Sequence, residues 1–184
     1  MIFGNPHKFA ILADCVNAWT EDGGYLNGVF HFIIDSQIFP EKARVATLSG
    51  DFFCFDRVHP LVCFPENDRL FQVSPSIAFK EMMDLALPQE FDASGDCPTP
   101  DERYKASTYN LEDGGAFVFS VSHGDKVRIL GAQLSRQKLD ESGVFQWEEI
   151  FPVAIHEVLL SRDEISNIVS EFMSSFESGF KYKA

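Results

Sequence analysis

The period of the hydrophobic positions changes several times along the chain, and each change marks an element. Residues 8–16 (KFAILADCV) are an apolar stretch that fits a strand or a short helix equally well. Thr20-Glu21-Asp22-Gly23-Gly24 is a turn cluster. Gly28 to Ile34 (GVFHFII) is rich in β-branched and aromatic residues and predicts a strand. Asp35-Ser36-Gln37 predicts a tight turn, and Gln37-Ile38-Phe39 starts the returning strand before Pro40. A further extended piece is expected from Val45 to Leu48. Ser49-Gly50-Asp51 is then expected to turn the chain into an extended Phe52-Phe53-Cys54-Phe55, completing an antiparallel meander.

The period switches at residues 74–87 (SPSIAFKEMMDLAL), which predict a short helix. Ser74 can cap it, Pro75 suits its first position, and Ile77, Met82, Met83 and Leu85 to Leu87 supply an apolar face, with Pro88 as the stop. Residues 88–115 carry Pro88, Pro98, Pro100, Gly95, Gly114 and Gly115 and read as a long loop, a length that in a compact domain is either functional or disordered. From Ala116 the alternation returns, with Phe117, Phe119 and Val121 interleaved with Val118, Ser120 and Ser122. Ser122-His123-Gly124-Asp125 is a hairpin turn into a strand at Val127–Leu130, and Gln146–Ile155 predicts one more strand.

The C-terminal helix has the sharpest local signature. Ser161-Arg162-Asp163-Glu164 is a capping box, and the two acidic residues suit the positive end of the helix dipole. Ile165, Ile168, Val169, Phe172, Met173 and Phe176 form one stripe at helical spacing, expected to pack on the sheet, with Gly179 as the stop. No internal repeat or separating linker occurs. The expectation is one α+β domain over residues 1–184, mainly antiparallel sheet with a C-terminal amphipathic helix and one short central helix.

Composition sharpens this picture in two respects. Phenylalanine occurs 19 times, mostly at alternating or helical spacing, so most of these rings are expected in the core and a minority as interface anchors. Charge is lopsided, with 28 acidic against 15 basic residues and a formal net charge of −13. Such a chain is repelled by nucleic acid and anionic membranes and attracts basic proteins, although many acidic proteins are acidic simply for solubility. Cys15, Cys54, Cys63 and Cys97 form no C-x-x-C pair, and Cys15 and Cys54 sit in apolar stretches where small buried hydrophobes are expected. No basic region precedes an apolar one at the N-terminus, and no apolar run reaches membrane-spanning length. A cytoplasmic protein with free thiols is therefore expected.

Motifs for chemistry are missing. His7, His31, His59, His123 and His156 fall in no zinc-binding spacing, and His156-Glu157 would point to opposite faces of a strand. No phosphate-cradling glycine loop, nucleophile elbow or calcium loop is present, so no metal or cofactor is expected. Asp51 and Asp56 would lie on opposite faces of an extended segment, which argues against a paired-carboxylate site.

Met1-Ile2-Phe3-Gly4-Asn5-Pro6, Phe9-Ala10-Ile11, Trp19, Gly28 to Asp35 and Ile38-Phe39-Pro40 together resemble the immunity protein 42 family of bacterial polymorphic toxin systems. Leu160-Ser161-Arg162-Asp163-Glu164-Ile165, opening a Phe-containing helix, is similar as well, so the resemblance covers both ends of the chain. Family members usually carry Gly after Ile-Ile-Asp, where this chain has Ser36. The resemblance implies an antidote that binds a cognate toxin C-terminal domain and carries no catalytic residues. Where that toxin is a nuclease with a basic groove, an acidic surface is matched to occlude it.

Between Glu81 and Glu102 there are seven acidic residues and no basic one. The partner-binding candidates are therefore Glu90, Asp92, Asp96, Asp101 and Glu102, with Glu112 and Asp113, and with Phe91, Tyr104 and Tyr109 as apolar anchors. Trp147-Glu148-Glu149 is a second candidate. Two other functions remain open: a small cytoplasmic enzyme with a site assembled from Cys54, His59 or His123, and an acidic adaptor for another basic partner.

Overall fold

The computed structural model describes residues 1–20, 25–88 and 98–181, with side chains of the last helix through residue 176. In chain order the elements are β1 (Ile2–Gly4), β2 (Phe9–Cys15), β3 (Asn27–Ile34), β4 (Gln37–Phe39) and β5 (Ala46–Thr47). Five helices follow: α1 (Leu48–Cys54), α2 (Pro60–Cys63), α3 (Asp68–Gln72), α4 (Pro75–Ala86) and α5 (Tyr109–Asp113). Then come β6 (Ala116–His123), β7 (Lys126–Gln133), β8 (Ser135–Leu139), β9 (Phe145–Glu149), β10 (Ile155–Ser161) and α6 (Arg162–Lys181). The architecture is α+β with antiparallel sheets, as expected, and α6 closes the chain.

The first sheet has the order β1-β2-β3-β4, with β5 also on β3. The turn between β3 and β4 places Asp35 at φ 50 and Ser36 at φ 66. Two successive positive φ values make a turn whose twist matches the flanking strands. The second sheet has the order β10-β7-β6. It lies between two hydrophobic clusters, which is why β6 and β7 are buried along nearly their whole length. Val118, Val127 and Ile129 face the first sheet, where they join Phe9, Phe30, Phe32 and Ile34. Phe119, Val121 and Leu130 face the opposite way and pack on Phe79 and Met82 of α4. The two sheets meet closely at Gly131, where an added Cβ would stand 2.6 Å from Ile34 Cδ1.

The capping box of α6 forms: the Glu164 N–H donates to Ser161 Oγ at 3.2 Å, and the Ser161 N–H donates to Glu164 Oε2 at 2.8 Å. Ile165, Ile168, Val169 and Phe172 are buried in the first cluster, with Met173 and Phe176 partly buried against it. The stripe packs on the sheet as its spacing predicted. The helix runs past Gly179 to Lys181.

Several local expectations are corrected. Residues 48–54 are helix α1, not a turn and strand; Leu48, Phe52 and Phe55 at i, i+4 and i+7 bury one face, which the run of aromatics masked. The segment 146–155 is not one strand. The chain breaks at 150–154 and contributes β9 to a two-stranded hairpin with β8 and β10 to the second sheet. Helix α4 lies where expected, but its buried face is Ala78, Phe79, Met82 and Ala86, while Ile77, Leu85 and Leu87 are exposed. Ser74 makes no side-chain cap bond. Cys15 is exposed and Cys54 only half-buried.

Candidate functional site

Helix α1, the bend after it and α2 form one wall of a groove of about 730 Å³, and residues 102–112 form the other. The bend is fixed by Asp56, whose Oδ1 accepts from the N–H groups of Val58 and His59. The opposite wall is pinned along the edge of β6: the Ala106 N–H donates to the Val118 carbonyl, and the Ser120 N–H donates to that of Tyr104. Residues 104–107 are thus a fixed edge segment, not the free loop that their proline and glycine neighbours predicted. Phe53, 72% exposed, and Tyr109, 71% exposed, stand on opposite walls. Exposed aromatics over a groove with a charged rim are the usual anatomy of a protein-binding centre.

The structure divides the sequence-derived candidates. Glu90, Asp92 and Asp96, together with Phe91, lie outside the described residues. Glu102 and Glu112 come together in the groove, bridged by Lys105 at 2.5 and 3.3 Å. Burial acts to lower the Lys105 pKa, but these two carboxylates outweigh it and hold the ammonium above its ordinary value. Burial also pushes Glu112 up, against the opposing pull of Lys105. Asp101 pairs with Arg103 at 2.9 Å, and that hydrogen bond holds its carboxyl below the usual range. Asp113 lies on the other side of α5, 3.6 Å from Arg44. The four described carboxylates therefore all face a cation of the same chain, with Glu102 and Glu112 sharing Lys105. Tyr104 is corrected outright as an anchor: it is 4% exposed, packs in the second core, and its hydroxyl accepts from Asn67 Nδ2. Phe53 was missed because residues 52–55 read as a strand.

Cys54 and His59 both line the groove but are not arranged as a thiol and base. The Cys54 thiol donates to the Gly50 carbonyl, and burial raises its pKa, the opposite of what activates a nucleophile. His59 accepts from the Leu61 N–H through Nδ1, so its Nε2 proton is directed at the Ala106 carbonyl, 3.3 Å away. Burial lowers its pKa to about 4, leaving a neutral ring that caps α2. His123 is elsewhere, paired with Asp68. Among the described residues no group of three or more His, Cys, Asp or Glu side chains is placed to hold a metal ion. No helix there is long and apolar enough to cross a membrane.

Comparison with known proteins decides the family. The model of immunity protein 42 matches residues 1–175. The chain belongs to the immunity protein 42 family. A solved structure, CdiI from Burkholderia dolosa AUO158, shares the fold at a TM-score of 0.70 and 23% sequence identity, covering 95% of this chain and 99% of the other. No curated protein matches the sequence. Membership favours an inhibitor over an enzyme, in accord with the inert surroundings of Cys54 and His59. The turn after Ile33-Ile34-Asp35 holds Ser36 in left-handed geometry. The groove between α1 and residues 102–112 is the candidate docking site.

Proposed function

We propose that this protein binds and neutralises a cognate bacterial toxin C-terminal domain in the cytoplasm, as one domain over residues 1–184, by covering the toxin's active site. The observation that carries the docking reading is the pair Phe53 and Tyr109, two exposed aromatic rings facing a groove whose rim holds Glu102, Arg103, Lys105 and Glu112. Burying such rings supplies most of the energy of a protein interface, and ordered ion pairs around them exclude water. The net charge of −13 adds long-range attraction to a basic partner, as the substrate groove of a nuclease would be. Glu90, Asp92, Asp96, Asp101 and Asp113 meet basic residues of the toxin in this reading.

Co-expression tests it. Cells producing the C-terminal domain of the protein encoded directly upstream should regain growth when this chain is supplied. Phe53→Ser combined with Tyr109→Ser should weaken binding by about 100-fold, the sum of two anchors worth somewhat over 1 kcal/mol each. Unrescued growth with folded protein present would refute the reading. The enzyme alternative makes the opposite forecast for Cys54: Cys54→Ser should leave protection intact if binding alone is the function.

A further inference from the structure

We infer that the partner-binding surface continues across α5 onto the β8–β9 hairpin, and that Phe145 and Trp147 seat in an apolar pocket of the toxin domain whose rim is basic. This rests on the toxin-binding reading above. The hairpin pairs with no other strand among the described residues, and its side chains stand largely outside both cores. The register sets Leu139 opposite Phe145 and Gln137 opposite Trp147. Side chains two apart share a face, so Leu139, Phe145 and Trp147 form one apolar patch. Phe145 is 65% and Trp147 54% exposed. A contiguous exposed apolar patch rimmed by polar residues marks an interaction site.

The patch is presented rigidly. Asp140 Oδ1 accepts from the Ser142 N–H, the Ser142 hydroxyl and the Val144 N–H, closing the turn. Lys42 Nζ donates to the Gln137 carbonyl at 2.8 Å and fastens the ribbon to the body. On the other face Glu148 ties Arg136 and Lys138 together. A ribbon already ordered loses little entropy on docking.

Charge identifies the occupant. On the hairpin and its turn, Asp140, Glu141, Glu148 and Glu149 outnumber Arg136 and Lys138. Residues 135–149 as a whole therefore carry a net charge of −2, of the same sign as the chain's −13. Two copies of this chain, each at −13, repel one another, whereas a cationic protein is attracted. Geometry joins the hairpin to the groove. Tyr109 and Glu112 of α5 line the wide groove, while Asp113 of the same helix lines a second one of about 250 Å³ beneath Phe145 and Trp147. Helix α5 thus carries Tyr109 into the first groove and Asp113 into the second, and a single partner can cover both.

The test uses the full chain, the Phe145→Ser/Trp147→Ser double variant and the C-terminal domain of the protein encoded upstream, with binding kinetics, growth rescue and sedimentation. Both substituted side chains are largely exposed, so the thermal transition should stay in place. The expected result is tight binding by the parent chain, at least 100-fold weaker binding by the variant through faster dissociation, and loss of rescue. Parent and variant binding within twofold of each other would overturn the hairpin inference and leave the toxin reading standing. A parent chain that neither binds nor rescues would overturn both. Self-association of the parent that the variant abolishes, with toxin binding unchanged, would assign the patch to a second copy instead.

Discussion

Arg128 illustrates how much one side chain can organise. It is buried within β7, and its Nη1 donates to the carbonyls of Leu70, Phe71 and Val73, which close the end of α3. Its Nε donates to Glu157 Oε1 on β10. One guanidinium therefore ties the second sheet to the helices that cover it. Arg128→Met should cost ~3 kcal/mol or more, because three carbonyls and a carboxylate lose their donor, and urea denaturation will measure it. Ser36 makes the reverse case. At φ 66 its Cβ crowds the backbone, so Ser36→Gly should raise stability by about 0.5–1 kcal/mol, read as a shift of the same denaturation midpoint.

At the scale of elements, α1 carries a charge that its burial disfavours. Asp51 is 2% exposed, and burial raises its pKa from 3.8 to about 6, against the lowering effect of neighbouring hydrogen bonds and Arg44. The folded state therefore binds this proton more tightly than the unfolded chain. The stabilisation it brings is fully present below pH 3.8, falls as pH rises toward 6 and is absent above it. The loss is on the order of 2–3 kcal/mol. Asp51→Asn should flatten that part of the stability profile and raise the melting temperature at pH 7. Helix α6 depends on its packing more than on its cap. Phe172 touches Phe3, Phe30, Phe52 and Phe55, so Phe172→Ala should cost about 3–5 kcal/mol. Ser161→Ala, which removes one cap bond, should cost about 1 kcal/mol. Thermal denaturation of the two variants checks the ranking.

For the molecule as a whole, the net charge is −13, while the described carboxylates at the candidate grooves face cations of the same chain. Charge should then govern encounter and the aromatic anchors should govern residence. Raising salt from about 0.05 to about 0.5 M should slow association with the toxin domain by about 10-fold and leave dissociation nearly unchanged, because screening shortens the reach of the field. Stopped-flow mixing at several salt concentrations separates the two rates. Reversing Asp101 and Glu102 to Lys should likewise slow association.

The sequence by itself determined the elements whose signal is local. The strand GVFHFII and its turn, the hairpin at His123-Gly124 and the capped stripe of α6 are set by neighbours within a few residues, and the structure has them in place. The family was legible for the same reason, from short apolar patterns at both ends of the chain. Tertiary structure decided everything that depended on what lies opposite. Phe52 and Phe53 are adjacent aromatics in sequence, yet α1 buries one and leaves the other at the groove. Tyr104 looked available beside carboxylates, but the edge of β6 draws it into the core. Arg103 and Lys105 interrupt the acidic candidates already in the sequence, but only folding brought Lys105 to Glu112 and Arg44 to Asp113. Composition counts charges along a line, whereas pairing and exposure arise from distances that only the folded chain sets.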